Sequence, residues 1–383
     1  MKRTILTLLT LLTLTLSVNA QTWNMIVTHE DGTVDTLATS AVKSVSFCQP
    51  DQNADQVIIK EIYNGGVMKD DQSGNFQFDK SFILYNNCSQ PAVINNLCVG
   101  MCAYYNAEAS TMDKLYDASG NLVYDDFIPG MNGIWYFQKA LTLQPYSQVV
   151  VVVNGAIDNT QTCSNSVNYA DAANYVMYDP TYKGPGTSEG NMYYNNTSYN
   201  PTPADVIPTS HYLKTVKVGQ GNSWPLSVVS PALFIYQTRQ GTPKEWAENA
   251  DNMWYVPGYE GKPAWGCVKV PVDWVIDGVE VWNATKLSTS KKRFPASIDA
   301  GHVNLTNQLG HVLYRNVDKE ATEALPENNG KLVYGYQLGV DSSTDPSGID
   351  AEASMAAGAH IVFQDTDNST NDFHERQKSS LRK

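Results

Sequence analysis

Nowhere in this chain does an apolar pattern persist at helical spacing. Short apolar runs recur instead, each closed off by Asn, Gly, Asp or Pro. Val57-Ile58-Ile59-Lys60-Glu61-Ile62-Tyr63 is the first in the body of the chain. A Gly/Asp-rich loop from Gly65 to Gly74 separates it from Phe82-Ile83-Leu84-Tyr85-Asn86, and residues 92–102 follow. Residues 141–143, the turn Gln144-Pro145-Tyr146-Ser147 and residues 149–153 read as strand, turn and fully buried strand. Strand-like sequence returns at 213–218, 226–236, 268–272, 274–282, 334–338 and 360–363, and residues 169–175 could form a short helix. Such strands, divided by turn residues, predict an all-β sandwich rather than alternating strands and helices.

The N-terminus carries a different pattern. Lys2 and Arg3 precede an apolar run over residues 5–16, and Val18-Asn19-Ala20 places small residues at a cleavage site. The run is too short to span a bilayer, so residues 1–20 are expected to be a signal peptide whose removal leaves Gln21 first. No cysteine follows the run to take a lipid anchor. The mature protein is therefore expected in the periplasm or at the cell surface. Residues 21–49 read as a small β unit, in which Trp23, Met25 and Val27 alternate with polar residues and Asp31-Gly32 marks a hairpin turn. Val42, Val45 and Phe47 close that unit, and polar residues 48–56 form a linker.

Composition narrows the partners. With 42% hydrophobic residues the 383-residue chain can bury a core, while a net charge of −13 disfavours nucleic acid and anionic membranes. The six cysteines are Cys48, Cys88, Cys98, Cys102, Cys163 and Cys267, and an even count in an exported chain suggests disulfides. Cys98 and Cys102 would lie about 13 Å apart in an extended strand. A bond between them needs a bend at Gly100; pairing one of them with Cys88 is easier. Without a CxxC pair, zinc is not expected.

Several segments, taken in order, resemble a known domain. Ile59-Lys60-Glu61-Ile62-Tyr63-Asn64 and then Phe82-Ile83-Leu84-Tyr85-Asn86 are similar to the opening strands of the lamin-tail domain. Leu143-Gln144-Pro145-Tyr146-Ser147 resembles its turn, and Val272-Asp273-Trp274-Val275-Ile276-Asp277-Gly278-Val279 a later strand. Gln364 to Phe373 resembles the closing D-T-x-x-S-x-x-D-F signature. The whole layout resembles domain of unknown function 4876, a family of secreted bacterial proteins, as a lamin-tail domain swollen by insertions. The acidic position of the second strand is Ile83 here, so any role of that carboxylate is lost. The resemblance implies an immunoglobulin-like β-sandwich over residues 57–380, with an insertion at about 104–265. It implies an interaction module rather than an enzyme, and an outer-membrane uptake receptor as a partner.

Three motifs are weighed as sites. Gly186-Thr187-Ser188-Glu189-Gly190 fits the nucleophile pattern G-x-S-x-G, but no strand or helix abuts it in the polar stretch 158–210, so it reads as loop. Asp365, Asp367, Asn368 and Asp372 form an oxygen-rich loop that could hold Ca²⁺ or else cap turns. Trp246, Trp254, Tyr255, Tyr259 and Trp265 could stack on sugars or anchor a protein partner, or else cover the core. Trp274 and Trp282 read as core. The six histidines are scattered without metal spacing. The expectation is a non-enzymatic protein- or glycan-binding protein; the alternatives are a glycan module using those aromatics and a hydrolase assembled from distant loops.

Overall fold

The computed structural model describes residues 23–29, 31–42, 45, 51–76, 79–103, 110–182, 200–219 and 226–382. The expected signal peptide, Cys48 and the Gly186–Gly190 motif lie outside them. The chain divides into a unit up to Cys48 and a second from Gln49 onward.

The N-terminal unit is the expected hairpin. Asn24–Thr28 pairs antiparallel with Val34–Ala38, setting Met25 opposite Leu37, and Gly32 takes the turn at φ 83°. A two-stranded ribbon has no second layer in which to bury its side chains. Within this unit Trp23 is accordingly 70% exposed and Ile26 65%.

The second unit is the expected all-β sandwich. Its first sheet runs, edge to edge, through Tyr175–Val176, Gln148–Asn154, Lys80–Asn86, Val57–Tyr63, Val312–Arg315 and Phe373–Arg376. The second runs through Lys214–Val216, Ile134–Tyr136, Leu97–Met101, Ala232–Gln237, Val275–Asn283 and Val303–Leu305. Alternation along the strands decides which side chains meet between the sheets. Ile59, Ile62, Phe82, Leu84 and Val151 of the first sheet join Val99, Leu233, Ile235 and Val279 of the second in one buried cluster. A further sheet, Met253–Tyr255, Gly266–Pro271 and Phe127–Met131, adds Ile128, Val268 and Val270 to it.

The outer face of the first sheet is covered twice. Tyr63, Ile83, Val150 and Val152 pack beneath Val167, Tyr169 and Ile207. Ile58, Tyr85 and Tyr314 pack beneath Ile349, Ile361 and Phe363. Ile83 thus sits at 0% exposure in an apolar cluster, where a carboxylate would lack solvent.

Several expectations need correction. Residues 92–102 are two strands, Ala92–Ile94 and Leu97–Met101, because Asn96 turns the chain at φ 50°. Residues 169–174 are irregular and turn-like before the strand that opens at Tyr175; the Asn168 and Asp171 side chains accept from Ala170 and Ala173 N–H and so compete with a helix. Residues 226–231 are irregular, and strand pairing starts at Ala232. Residues 334–338 and 360–363 carry only isolated bridges, at Tyr334 and Phe363. Trp274 is core, as expected, but closes a 3₁₀ turn rather than lying on the strand; Trp282 is only partly buried and stacks on His302 at 3.7 Å.

The five described cysteines are free, so the disulfide expected among Cys88, Cys98 and Cys102 is not formed. Cys98 contacts the Thr238 hydroxyl at 3.4 Å, whereas Cys102 contacts the Tyr124 hydroxyl at 3.7 Å. Cys88 is half-buried in the turn after Lys80–Asn86, where it meets the Gln90 N–H. Gly100 supplies room rather than a bend: a Cβ there would lie 2.5 Å from Phe234 Cζ. Cys102 and Cys267 pair with Gly130 and Met131 from opposite sides of one strand. Two strand spacings, about 10 Å, exceed the reach of a disulfide.

Candidate functional site

Two adjacent charges, Lys60 and Glu61, interrupt an otherwise apolar central strand. The pairing register with Lys80–Asn86 shifts between Ile59 and Glu61, which marks a β-bulge at Lys60. Both charged side chains consequently reach groups on the outer face, between its two covers.

Lys60 is 1% exposed, with its ammonium 5.2 Å from the Tyr314 ring centre, 5.7 Å from Phe363 and 5.9 Å from Tyr85. It donates to Gln148 Oε1 at 2.6 Å and stands 3.9 Å from Glu352 Oε1. Burial pushes the Lys60 amine down from its ordinary range, while Glu352 and Glu61 oppose that shift. Glu352 lies on the short helix Ala351–Ala356, capped by the Asp350 side chain. It accepts from the Tyr314 hydroxyl at 2.5 Å and from Arg376 Nη2 at 2.6 Å. Burial alone would raise the Glu352 carboxyl, but Lys60, Arg376 and the Tyr314 hydroxyl bring it down to about 2.

Glu61 holds the end of the chain. It accepts from Ser379 Oγ at 2.5 Å and Ser380 N–H at 3.0 Å, so the C-terminal segment crosses the outer face beside Gln148. A cleft of about 570 Å³ opens there, walled by the start of Gln148–Asn154, residues 160–174 and Ser380 to Arg382. Gln148, Thr160, Asn168, Asp171, Asn174 and Arg382 bring amides, hydroxyls and one charge of each sign to its walls. A second depression of about 490 Å³, reaching Gln72 and Leu309, shares Ser164 and Arg382 with the first. Together they form an elongated polar groove beside the chain end.

Below one wall lies a buried carboxyl. Asp79 accepts from the Tyr63 hydroxyl at 2.5 Å and from Ser166 Oγ at 3.2 Å. Burial pushes it up to about 6, against those two hydrogen bonds.

In the structure the side chains of the acidic loop meet an arginine of the chain itself and cap local turns, the second of the two roles weighed in the sequence. Arg315 donates to Asp365 Oδ1 at 2.8 Å and lies 3.8 Å from Asp372 Oδ2. Asp372 also accepts from Thr366 N–H and hydroxyl, at 2.9 and 2.7 Å. The Asn368 side chain caps Thr370 N–H, and the Asp367 carbonyl accepts from Ala300 N–H. Among the described residues, no group of three or more His, Cys, Asp or Glu is placed to hold a metal ion.

The five loop aromatics do not form one platform. Trp246 donates to the Lys269 carbonyl at 2.8 Å and packs 4.4 Å from Trp274. Trp254 is wedged against Tyr124 and Phe127, at 5.7 and 5.8 Å. Tyr255 is half-buried in strand Met253–Tyr255. Tyr259 and Trp265 stack at 3.9 Å, and Lys114 lies 4.2 Å over the Tyr259 ring, so both faces of Tyr259 are occupied.

In the sequence Lys60 and Glu61 fall within a motif that gives them no role, and nothing marks Gln148, Tyr314, Arg315, Glu352 or Arg376. One signal was available: two adjacent charges inside an apolar strand break its period of two and announce a bulge.

Two facing six-stranded layers, with a polar groove on an outer face, define an all-β sandwich protein. The chain belongs to the family described as protein of unknown function (DUF4876), whose model matches residues 144–335, as the motif order had led us to expect. Its fold is similar to the crystal structure of a DUF4876 family protein from Bacteroides thetaiotaomicron VPI-5482. The TM-score is 0.57 at 17% identity, covering 84% of this chain and 70% of that one. No curated protein matches the sequence.

Proposed function

We propose that this is an exported, non-enzymatic binding protein of the periplasm or cell surface, which takes an extended polar ligand in the groove beside its C-terminus. The groove itself carries this reading: two adjoining depressions suit a chain-like ligand better than a compact one. Walls of amides and hydroxyls match the hydroxyls of an oligosaccharide, each of which both donates and accepts. Two of the buried acids, Glu280 and Asp277, are engaged with Arg293 and Arg315, and Asp79 under the groove wall is held by the Tyr63 and Ser166 hydroxyls, which favours structural roles for these acids. The groove is a better candidate for glycan recognition than the loop aromatics, whose rings pack against protein. An outer-membrane uptake receptor is the protein partner that the family resemblance suggests.

The test is a glycan array and a peptide array with the mature protein and with Ala173→Trp, which fills the groove from an exposed position on its wall. Glycan binding abolished by the tryptophan supports the proposal. Binding that survives it moves the site elsewhere, and capture on the peptide array alone replaces the ligand class.

A further inference from the structure

Two buried lysines contrast instructively. Lys80 sends its ammonium to a main-chain carbonyl, that of Leu226, at 2.7 Å. Lys60 instead meets a side-chain carboxamide, inside an aromatic cage, with a carboxylate beside it. Gln148 and Lys60 belong to strands separated by Lys80–Asn86. A bond between their side chains would therefore pass over Tyr85 and staple three neighbouring strands.

We infer that Lys60 and Gln148 form an intramolecular isopeptide bond, made by attack of Lys60 Nζ on Gln148 Cδ with Glu352 carrying the proton. With Nζ 2.6 Å from the carboxamide oxygen and a C=O bond of about 1.2 Å, the carbon is at most about 3.8 Å away, close to attack distance. The ammonium first passes a proton to Glu352, whose carboxyl is held low in part by that same positive charge, leaving the neutral amine as the minor, reactive form. The amine lone pair adds to Cδ, and the tetrahedral adduct collapses by breaking the Cδ–Nε2 bond. The new amide nitrogen keeps one hydrogen, and the leaving nitrogen departs as ammonium after taking its protons from Nζ by way of Glu352. The balance is one ammonium and one carboxamide giving one secondary amide and one ammonium ion. No oxidant or outside reactant is needed. Burial, which lowers the Lys60 amine, makes the neutral nucleophile more accessible than on an exposed lysine.

The test is mass spectrometry of the mature protein after proteolysis. A branched peptide joining the Lys60 segment to the Gln148 segment is expected, lighter by about 17 Da than the sum of its parts, since one ammonia is lost per lysine acylated. A mature chain beginning at Gln21 would also lose ammonia by cyclising, so the branched peptide rather than intact mass is the readout. Gln148→Ala and Lys60→Arg should each abolish that peptide. Recovery of only linear Lys60 and Gln148 peptides from the folded wild-type protein overturns the inference.

Discussion

Arg315 and Asp277 join the two sheets of the sandwich: Arg315 Nη2, on the first sheet, donates to Asp277 Oδ2, on the second, at 2.5 Å. The same carboxylate oxygen accepts from Ile59 N–H at 2.6 Å. Arg315 extends the contact to Asp365 and to the Ile59 and Gln364 carbonyls. Three segments noticed separately in the sequence, around Ile59, Asp277 and Asp365 to Asp372, thus converge on one arginine. The closing signature is a clasp on the sandwich core, which explains why its acids face a cation of the chain itself.

Arg315→Ala should therefore destabilise the sandwich by about 3–5 kcal/mol, because the Asp277 carboxyl, which burial pushes up to about 7 against the opposing pull of Arg315, would lose its ion-pair partner while the Ile59 and Gln364 carbonyls lost their donor. Asp277→Asn should cost less, since an amide can still accept from Ile59 N–H. Urea denaturation of the two variants checks the order; equal losses would mean that packing, not charge, sets the cost. For the same reason Ca²⁺ should leave the melting temperature of the wild type unchanged.

Gly100→Ala tests a close approach. The added Cβ meets the Phe234 ring at 2.5 Å, and Phe234 is fully buried, so the ring can yield only by disturbing the inter-sheet core. A loss of about 1–3 kcal/mol is expected from such overpacking. A thermal midpoint equal to that of the wild type would show that the core accommodates the methyl group.

Much of the first sheet was legible because its strands bury both faces and read as apolar runs, Val149 to Val153 above all, and Val57–Tyr63 despite Lys60 and Glu61. The strands Val312–Arg315 and Phe373–Arg376 were passed over for the opposite reason. Arg315, His374, Glu375 and Arg376 are all buried, yet they look like surface residues until their partners are known. Residues 360–363 misled in the other sense: Ile361 and Phe363 are apolar because they cap the outer face of a sheet, not because they belong to it. The groove was illegible for a related reason. Its walls come from segments far apart in the chain, and nothing local marks Gln148 or Arg382 as neighbours.

Trp254→Ala separates packing from binding among the loop aromatics. Its ring meets Tyr124 and Phe127 edge-on, so truncation should cost about 2–4 kcal/mol of stability. Ligand binding, measured at a temperature where the variant stays folded, should be unaffected. A binding defect without a stability loss would return the site to these aromatics.

Glu280 sets part of the acid limit. It accepts from Arg293 Nε at 2.9 Å with both side chains fully buried. Burial alone would raise its carboxyl, but Arg293, Lys292 and backbone N–H groups bring it down to about 2, below the ordinary 4.5. A depressed folded value means stability that is complete above pH 4.5 and lost as pH falls through about 2. Glu280→Gln should be less stable than the wild type at neutral pH, and the two should converge on acidification. Parallel curves throughout the acid range would remove Glu280 from the account.

Asp79 acts with the opposite sign. Burial raises its carboxyl from 3.8 to about 6, so the folded state holds a proton that the unfolded chain releases earlier. The contribution is complete below pH 3.8 and lost as pH rises through about 6. Asp79→Asn should leave out this step, because the amide stays neutral while its oxygen can still accept from Tyr63. The wild type should therefore lose stability relative to the variant between about pH 4 and pH 6, then run parallel to it above that. Urea midpoints at pH 4, 5, 6 and 8 read the difference directly. Asp79 lies under the Ser166 and Tyr169 wall of the groove, so ligand affinity measured over the same range should follow the same step if charging the carboxyl loosens that wall. An affinity that stays flat while stability changes would confine the effect of Asp79 to the fold.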